Sequence, residues 1–530
     1  MTTVYDRIML RTLQVGAFAV VLAALPYKLF DLDRFFVPKE LALILAATIV
    51  SVVLLARARA LSLSRTDQLL ALWLTFSAAS ALFATNWWLA ERAMAITLGG
   101  AACFWGARAL VRADLGAQLA AALALAGVLA AATALLQAYG VRTELFSLNR
   151  APGGTFGNRN FIAHICVITL PALLFSAMRA TGKNSVLRWS TGAAIVAAAL
   201  ILSRSRAAWL ALLAGVIVLA FGGFIAFRRR DHSLPLRRAF LTLGALAIGA
   251  GAALVIPNTL DWNSASPYRD TASSIVNYKG GSGHGRLIQY ANSARMALHH
   301  PVFGVGPGNW AVIYPKFAVE DDPSIGQDGM TSNPWPSSDW VSYLAERGAP
   351  AFVMLLLAVL AIGVEGVRAM WKGDTEEARA RGAVLAATLV IVLIVGAFDA
   401  VLLLPAPTLI AWALLGAFLP VTQKSRTTIE FSGARRVAPC LVALVLGGLT
   451  AARSLGQVSA MSLATEGARL TTLERASSHD PGSFRIHVKL ADAYARRGDC
   501  RKARPHGDAA RRLFPSSPAA RRAAASCGRV

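Results

Sequence analysis

Acidic side chains are scarce in this sequence: 29 Asp and Glu stand against 53 Lys and Arg, and charged residues of both signs make up only 15% of 530 positions. Cysteine is rarer still. Of the five, Cys103, Cys166 and Cys440 lie in apolar runs without the spacing of metal ligands, so no zinc site is visible. Histidine numbers eight, and none falls between His300 and His479. No Ser-His-Asp order and no phosphate-cradling loop of the Walker type occurs in a supporting context. Zinc chemistry, triad hydrolysis and P-loop nucleotide chemistry therefore have no support in the sequence.

What is present is apolar: 55% of residues are hydrophobic and the mean hydropathy is +0.52, gathered into long runs. Charge-poor stretches recur at about 13-30, 40-56, 69-85, 94-110, 118-139, 161-178, 190-203, 207-227, 239-256, 349-366, 383-404, 406-422 and 437-453. Each is long enough, or nearly so, to cross a hydrocarbon core of roughly 30 Å as a helix. The fold expected is an all-α polytopic membrane protein with about 12-13 transmembrane helices. The first stretch lacks a small-residue cleavage site and reads as an anchor, not a removed leader.

Basic residues fall in alternate loops: Arg57, Arg59 and Arg65; Arg108 and Arg112; Arg179, Lys183 and Arg188; Arg228 to Arg230 with Arg237 and Arg238; Arg368, Lys372, Arg379 and Arg381; Lys424, Arg426, Arg435 and Arg436. The positive-inside rule makes these loops, and the N-terminus with Arg7 and Arg11, cytoplasmic. The net charge of +24 then belongs to topology and to anionic lipid, and no nucleic-acid partner is implied.

The opposite side receives GGTFGNRNF (153-161), the turn Ser203-Arg204-Ser205-Arg206, a long loop at 257-340 and everything after the last span. Arg150, Arg159, Arg204, Arg206 and Arg286 lie on this side, which the rule depletes of positive charge. A single arginine at a span's end commonly snorkels to lipid phosphate; five together point to a site. Within the long loop, GHGRLIQYANSARMALHH (283-300) has helical apolar spacing and is followed by the turn PVFGVGPGNW (301-310). The expected domains are residues 1-256 with nine helices, the loop 257-340, four helices in 341-453, and a tail at 454-530.

Three elements in this order, GGTFGNRNFIA (153-163), SRSRAAWLAL (203-212) and GRLIQYANSARMALHHPVFGVGPGNW (285-310), resemble the O-antigen ligase and polymerase superfamily of bacterial envelope glycosyltransferases. The resemblance covers roughly residues 1-425. It implies an inner-membrane enzyme, inverting and metal-independent and without a cofactor, that takes a glycan from an undecaprenyl-diphosphate carrier. The acceptor is a lipid, a glycan or a protein on the periplasmic side.

Elementary chemistry agrees. A diphosphate leaving group carries negative charge at the membrane surface, and guanidinium groups can both hold it and stabilise charge developing on it. Arg206 and Arg286 are the catalytic arginines expected, and Arg150, Asn158, Arg159, Asn160, Arg204 and Glu346 join them as substrate-binding candidates. Gly153, Gly154 and Gly157 read either as backbone open to a ligand or as an ordinary flexible loop.

Members resembling lipopolysaccharide ligases carry a histidine near the end of the long loop as general base. Here the matching run is WPSSDWVSYLAERG (335-348): Glu346 and Gly348 fit, but Ser337 and Ser338 occupy the His-Asn positions. Asp339 is the nearest titratable residue, read either as the base or as a helix-capping or first-turn carboxylate. His284, His299 and His300 are further candidates. A non-catalytic or transport protein binding a lipid-linked glycan is the alternative. It should bear ionisable groups at mid-membrane, where Asp399 is the clearest and His164 stands near a span's start.

The tail is Arg- and Ala-rich, and residues 473-503 resemble a tetratricopeptide repeat, one unit of which needs neighbours to bury its faces. Cys500 and Cys527 are the two cysteines that topology places outside. They either form a bridge or remain unpaired thiols.

Overall fold

The computed structural model describes residues 2–27, 32–58, 60–141, 143, 145–146, 150–229, 236–262, 264–273, 281–326, 329–421, 427–430, 434–465 and 467–527. Among the described residues, each of the thirteen charge-poor stretches overlaps a helix. Ten are long and apolar enough to span a bilayer: Val37–Arg57, Trp87–Arg112, Gly116–Ala138, Arg159–Arg179, Lys183–Ser203, Arg206–Arg228, Arg237–Val255, Asp339–Lys372, Glu376–Phe398 and Val437–Leu463. The chain is an all-α polytopic membrane protein. The other three stretches lie on Val4–Leu22, Arg65–Ala81 and Pro405–Phe418. The last has 14 residues, about 21 Å at 1.5 Å per residue, too short to cross unaided.

Local chemistry sets several of the starts. Thr3 and Asp6 form a reciprocal capping box at the first helix, Thr375 accepts the N–H of Ala378, and prolines open Pro405–Phe418.

The described chain divides into two compact units, one of Met1–Leu69, Leu98–Ile275 and Leu357–Gly448, the other of Leu70–Thr97, Val276–Leu356 and Leu449–Val530. At the centre of the first unit is Arg159–Arg179, whose apolar window is 89% buried; it packs on Gly116–Ala138, Lys183–Ser203 and Glu376–Phe398. Several of the basic loops touch one another within this unit. There Arg57 Nε lies 3.2 Å from Asp6, Arg229 donates to the Trp371 carbonyl at 2.6 Å, Arg238 donates to that of Met178 at 2.9 Å, and Arg179 pairs with Glu377. Two four-residue strands, Ala60–Leu63 and Thr427–Glu430, pair antiparallel there, with Ala60 opposite Glu430 and Leu63 opposite Thr427.

The second unit has its own core of Met296, Val305, Trp310, Val312, Tyr314 and Ala345, with Phe514 packed against it. Its tail comprises Leu470–His479, Phe484–Arg496, Cys500–Leu513 and Pro518–Ala525, held by a cluster of Leu473, Ile486, Leu490, Tyr494 and Ala503. Cys500 and Cys527 are disulfide-bonded with their Cα atoms 5.4 Å apart, which decides between the two states that the sequence left open.

Candidate functional site

In the first unit the stretch after Arg150 forms a short 3-10 turn, Gly154–Phe156, and leads into Arg159–Arg179. Gly153 and Gly154 do not leave their amides open to a ligand, and they do not lie in a loose loop. The N–H groups of Gly153 and Gly154 both donate to the side-chain oxygen of Gln137 at 2.8 Å, and Phe156 is buried with the Lys39 ammonium 3.3 Å from its ring centre. The turn is a plug seated on neighbouring helices. Its asparagines take up local work as well: Asn158 accepts the Asn160 N–H at 2.9 Å as the helix cap, and Asn160 donates to Asp399 at 3.4 Å. Asp399 ends the helix Glu376–Phe398 and accepts from the Ala400 N–H at 2.9 Å. It sits at the C-terminal cap of that helix, not within it.

Three of the expected arginines meet here. The Trp262 ring has the Arg204 guanidinium carbon 4.6 Å from its centre and that of Arg159 at 5.1 Å. Arg159 feels the positive charge of both Arg204 and Arg150, and the Arg150 carbonyl accepts the Arg159 N–H at 3.0 Å. Arg204 adopts a left-handed backbone (φ 51°) at the C-terminal cap of Lys183–Ser203, which turns its side chain so that Nε donates to Thr271 at 2.8 Å. Burial pushes the Arg204 pKa down while Tyr268 and Asp270 oppose the shift, and burial pushes the Tyr268 phenol up. Neither Arg150 nor Arg159 has a carboxylate partner among the described residues. Two guanidinium groups on one indole, with a third close by, form a positive cluster that an anion would relieve. Arg206, half-buried, opens the next helix, Arg206–Arg228.

The remaining expected residues belong to the second unit. Arg286 lies on Gly281–His299 and has no hydrogen-bond or ion-pair partner among the described residues. Gln289, three residues on, accepts the Ser337 N–H at 2.6 Å, and Tyr290 donates to the Ser337 carbonyl at 2.7 Å. One helical turn therefore separates Arg286 from the contact that fixes the chain just before Asp339. The Ser338 hydroxyl accepts the Val341 N–H at 3.4 Å, so the cap is Ser338, and Asp339 is a fully buried carboxylate of the first turn. His299 spends Nδ1 on the Arg295 carbonyl at 2.8 Å, in keeping with a helix end.

Glu346 is buried and accepts the Trp310 N–H at 3.1 Å, while its carbonyl accepts from Gly306 at 2.8 Å. It thereby clasps the 301–310 turn to the helix Asp339–Lys372. The glycines at 304 and 348 have φ of +64° and +76°, and a Cβ on either would fall within 2.3 Å of facing backbone atoms. Arg347 beside them is buried over the rings of Tyr343 (4.5 Å) and Trp73 (5.6 Å) and donates to Thr97 at 2.7 Å.

Residues 191–356 match the O-antigen ligase family model, a segment that contains Arg204, Arg206, Trp262, Arg286, Asp339 and Glu346. This part of the chain is similar to the O-antigen ligase family. No curated protein matches the chain. The O-antigen ligase segment begins within the helix Lys183–Ser203 and runs into Asp339–Lys372, so Arg150 and Arg159 come to the site from outside the matched residues. Trp262, Lys39 and Arg347 were not foreseen. A lone tryptophan in a Ser/Asn-rich loop and a lysine or arginine inside an apolar run carry no local signal of partners distant in sequence.

Proposed function

We propose that this protein transfers a glycan from an undecaprenyl-diphosphate carrier to an acceptor hydroxyl or amide on the periplasmic face of the inner membrane. The observation that supports the reading best is the positive cluster of Arg150, Arg159 and Arg204 around Trp262, uncompensated by acid at two of its three members. Arginine presents paired N–H donors in the plane that a phosphate needs, and its charge persists at any physiological pH. Arg206, in the same unit, joins the donor set in this reading, and Arg286 of the second unit is a separate candidate for the diphosphate.

The acceptor attacks the anomeric carbon from the face opposite the diphosphate, with inversion. The bond to the phosphate oxygen breaks, its electron pair leaves with the diphosphate, and the arginines stabilise the growing charge. The acceptor proton passes to a carboxylate. Asp339, the titratable residue nearest the family's base position, is one candidate. Asp399 is the second candidate, favoured by its bond to Asn160 beside the arginine cluster. Glu346, Asn158 and Asn160 serve by holding the turns on which these groups stand. The tail's repeat-like helices give the acceptor side a soluble surface.

The test is reconstitution. Proteoliposomes of the full chain, supplied with undecaprenyl-diphosphate-linked glycan and envelope extract as acceptor source, should release undecaprenyl diphosphate in step with glycan transfer. Absence of release with every acceptor fraction sinks the transferase reading in favour of a carrier-binding protein.

A further inference from the structure

The second unit contains a cleft of about 780 Å³ between the loop after Tyr314 and the tail. Lys316, Glu320 and Asp321 line it from the loop, and Pro515, Pro518 and Arg521 from the tail. Its walls are fixed. Beneath the loop, Asp322 accepts from the Tyr314 hydroxyl at 2.6 Å, from Asn292 at 2.7 Å and from the Ser324 N–H at 2.8 Å, and burial together with Asp322 pushes the Tyr314 pKa up. On the tail side, Phe514 packs into the Trp310–Tyr314 cluster, and Pro518 stands so close to Gly329 that a Cβ there would lie 2.6 Å from the proline ring.

Besides Asp322, whose carboxylate is taken up by Tyr314, Asn292 and Ser324, four charged side chains of the lining leave their charges uncancelled. Lys316, Glu320, Asp321 and Arg521 make no ion pair or hydrogen bond among the described residues, although cations and carboxylates line one cleft. Asp321 holds a left-handed backbone (φ 61°), a cost for a non-glycine residue that is often met where a side chain is aimed at a ligand. Ser516, also in the lining, buries its hydroxyl with no hydrogen-bond partner among the described residues.

We propose that this cleft is a binding site for a neutral oligosaccharide, the glycan portion of the acceptor. Sugar hydroxyls both donate and accept, so one ligand can satisfy carboxylates and cations side by side; an anionic ligand would meet Glu320 and Asp321, and a lipid chain would meet four charges. The proline rings offer rigid apolar surface to the C–H faces of sugar rings. The volume lies within the range of sites for ligands of several rings. That the oligosaccharide is the acceptor rests on the transferase reading above; that the cleft binds sugar does not.

Saturation-transfer NMR on the full chain in nanodiscs, with oligosaccharides released by mild acid from the host envelope, tests the site. The wild type should saturate sugar-ring protons, and both Glu320→Gln/Asp321→Asn and Arg521→Ala should weaken binding by about tenfold or more, the loss of a charge-assisted hydrogen bond. Thermal unfolding and an intact Cys500–Cys527 bridge confirm that the variants fold. No saturation in the wild type, unchanged affinity in both variants, or displacement of the sugar by unstructured peptide overturns the site. If sugar binds but reconstituted transfer fails, the cleft stands and the transferase reading falls. If transfer proceeds with unchanged acceptor KM in both variants, the assignment of the cleft to the acceptor falls alone.

Discussion

Arg204 and Trp262 are in cation–π contact, with the guanidinium carbon 4.6 Å from the ring centre, and the same indole carries Arg159 at 5.1 Å. Two like charges on one aromatic ring repel each other, and the ring's negative face offsets only part of that repulsion, about 0.5–2 kcal/mol per contact. The geometry is therefore held ready for an anion. Trp262→Ala should raise the donor KM by about tenfold through loss of this preorganisation, and Trp262→Phe, which keeps an aromatic face, should recover most of it. Steady-state transfer in proteoliposomes with varied donor measures both. Equal donor KM in wild type and Trp262→Ala would show that the indole only packs.

Arg206 and Arg286 are expected to act on the diphosphate in the transition state. Arg206→Ala and Arg286→Ala should each lower turnover by about 10²- to 10³-fold or more while the protein remains folded in the membrane. Lysine should rescue poorly at either position, because a point charge cannot reproduce two parallel N–H donors. Full transfer activity in both alanine variants contradicts the donor-site assignment.

The two carboxylates make separable predictions. If Asp339 accepts the acceptor proton, Asp339→Asn should cut turnover by about 10²-fold with donor binding retained. If it serves the helix start alone, thermal stability should fall and turnover stay. Asp399→Asn offers the complementary reading. A turnover loss of about 10²-fold there, with Asp339→Asn fully active, moves the base to the carboxylate beside Asn160. Single-turnover rates with preloaded donor separate these cases from a defect in binding.

The helices were legible because apolar runs of bilayer length have few alternative structures, and Arg150, Arg159 and Arg204 stood out because they break the charge asymmetry of the loops. Other features depend on partners far along the chain. The strand Ala60–Leu63 has four residues, and its partner begins at Thr427, so neither segment announces a sheet. Glu346 was legible as a motif residue, but its grip on the Trp310 N–H was not, since the turn it clasps is defined only when Gly304 and Gly348 bring two backbones together. Gly153 and Gly154 misled for the same reason: their amides have Gln137 as partner, sixteen and seventeen residues upstream.

The bridge between Cys500 and Cys527 closes a separation of 27 residues and ties the helix Pro518–Ala525, which carries the cleft residue Arg521, to the start of Cys500–Leu513. Cross-linking a loop of about this length stabilises a fold by roughly 3 kcal/mol in the chain-entropy account, a large share for a small helical tail. Cys500→Ser should therefore speed proteolysis of the tail by about 10²-fold where cleavage follows the open population, and reductant should do the same to the wild type without affecting the variant. Thiol labelling of the denatured, unreduced protein should modify three cysteines, Cys103, Cys166 and Cys440, and all five only after reduction. Because such a bond persists in an oxidising compartment, that pattern in protein taken directly from cells also places the tail outside the cytoplasm. Five labelled cysteines without reductant, together with equal proteolysis of wild type and Cys500→Ser, would remove both the bridge and this support for the topology.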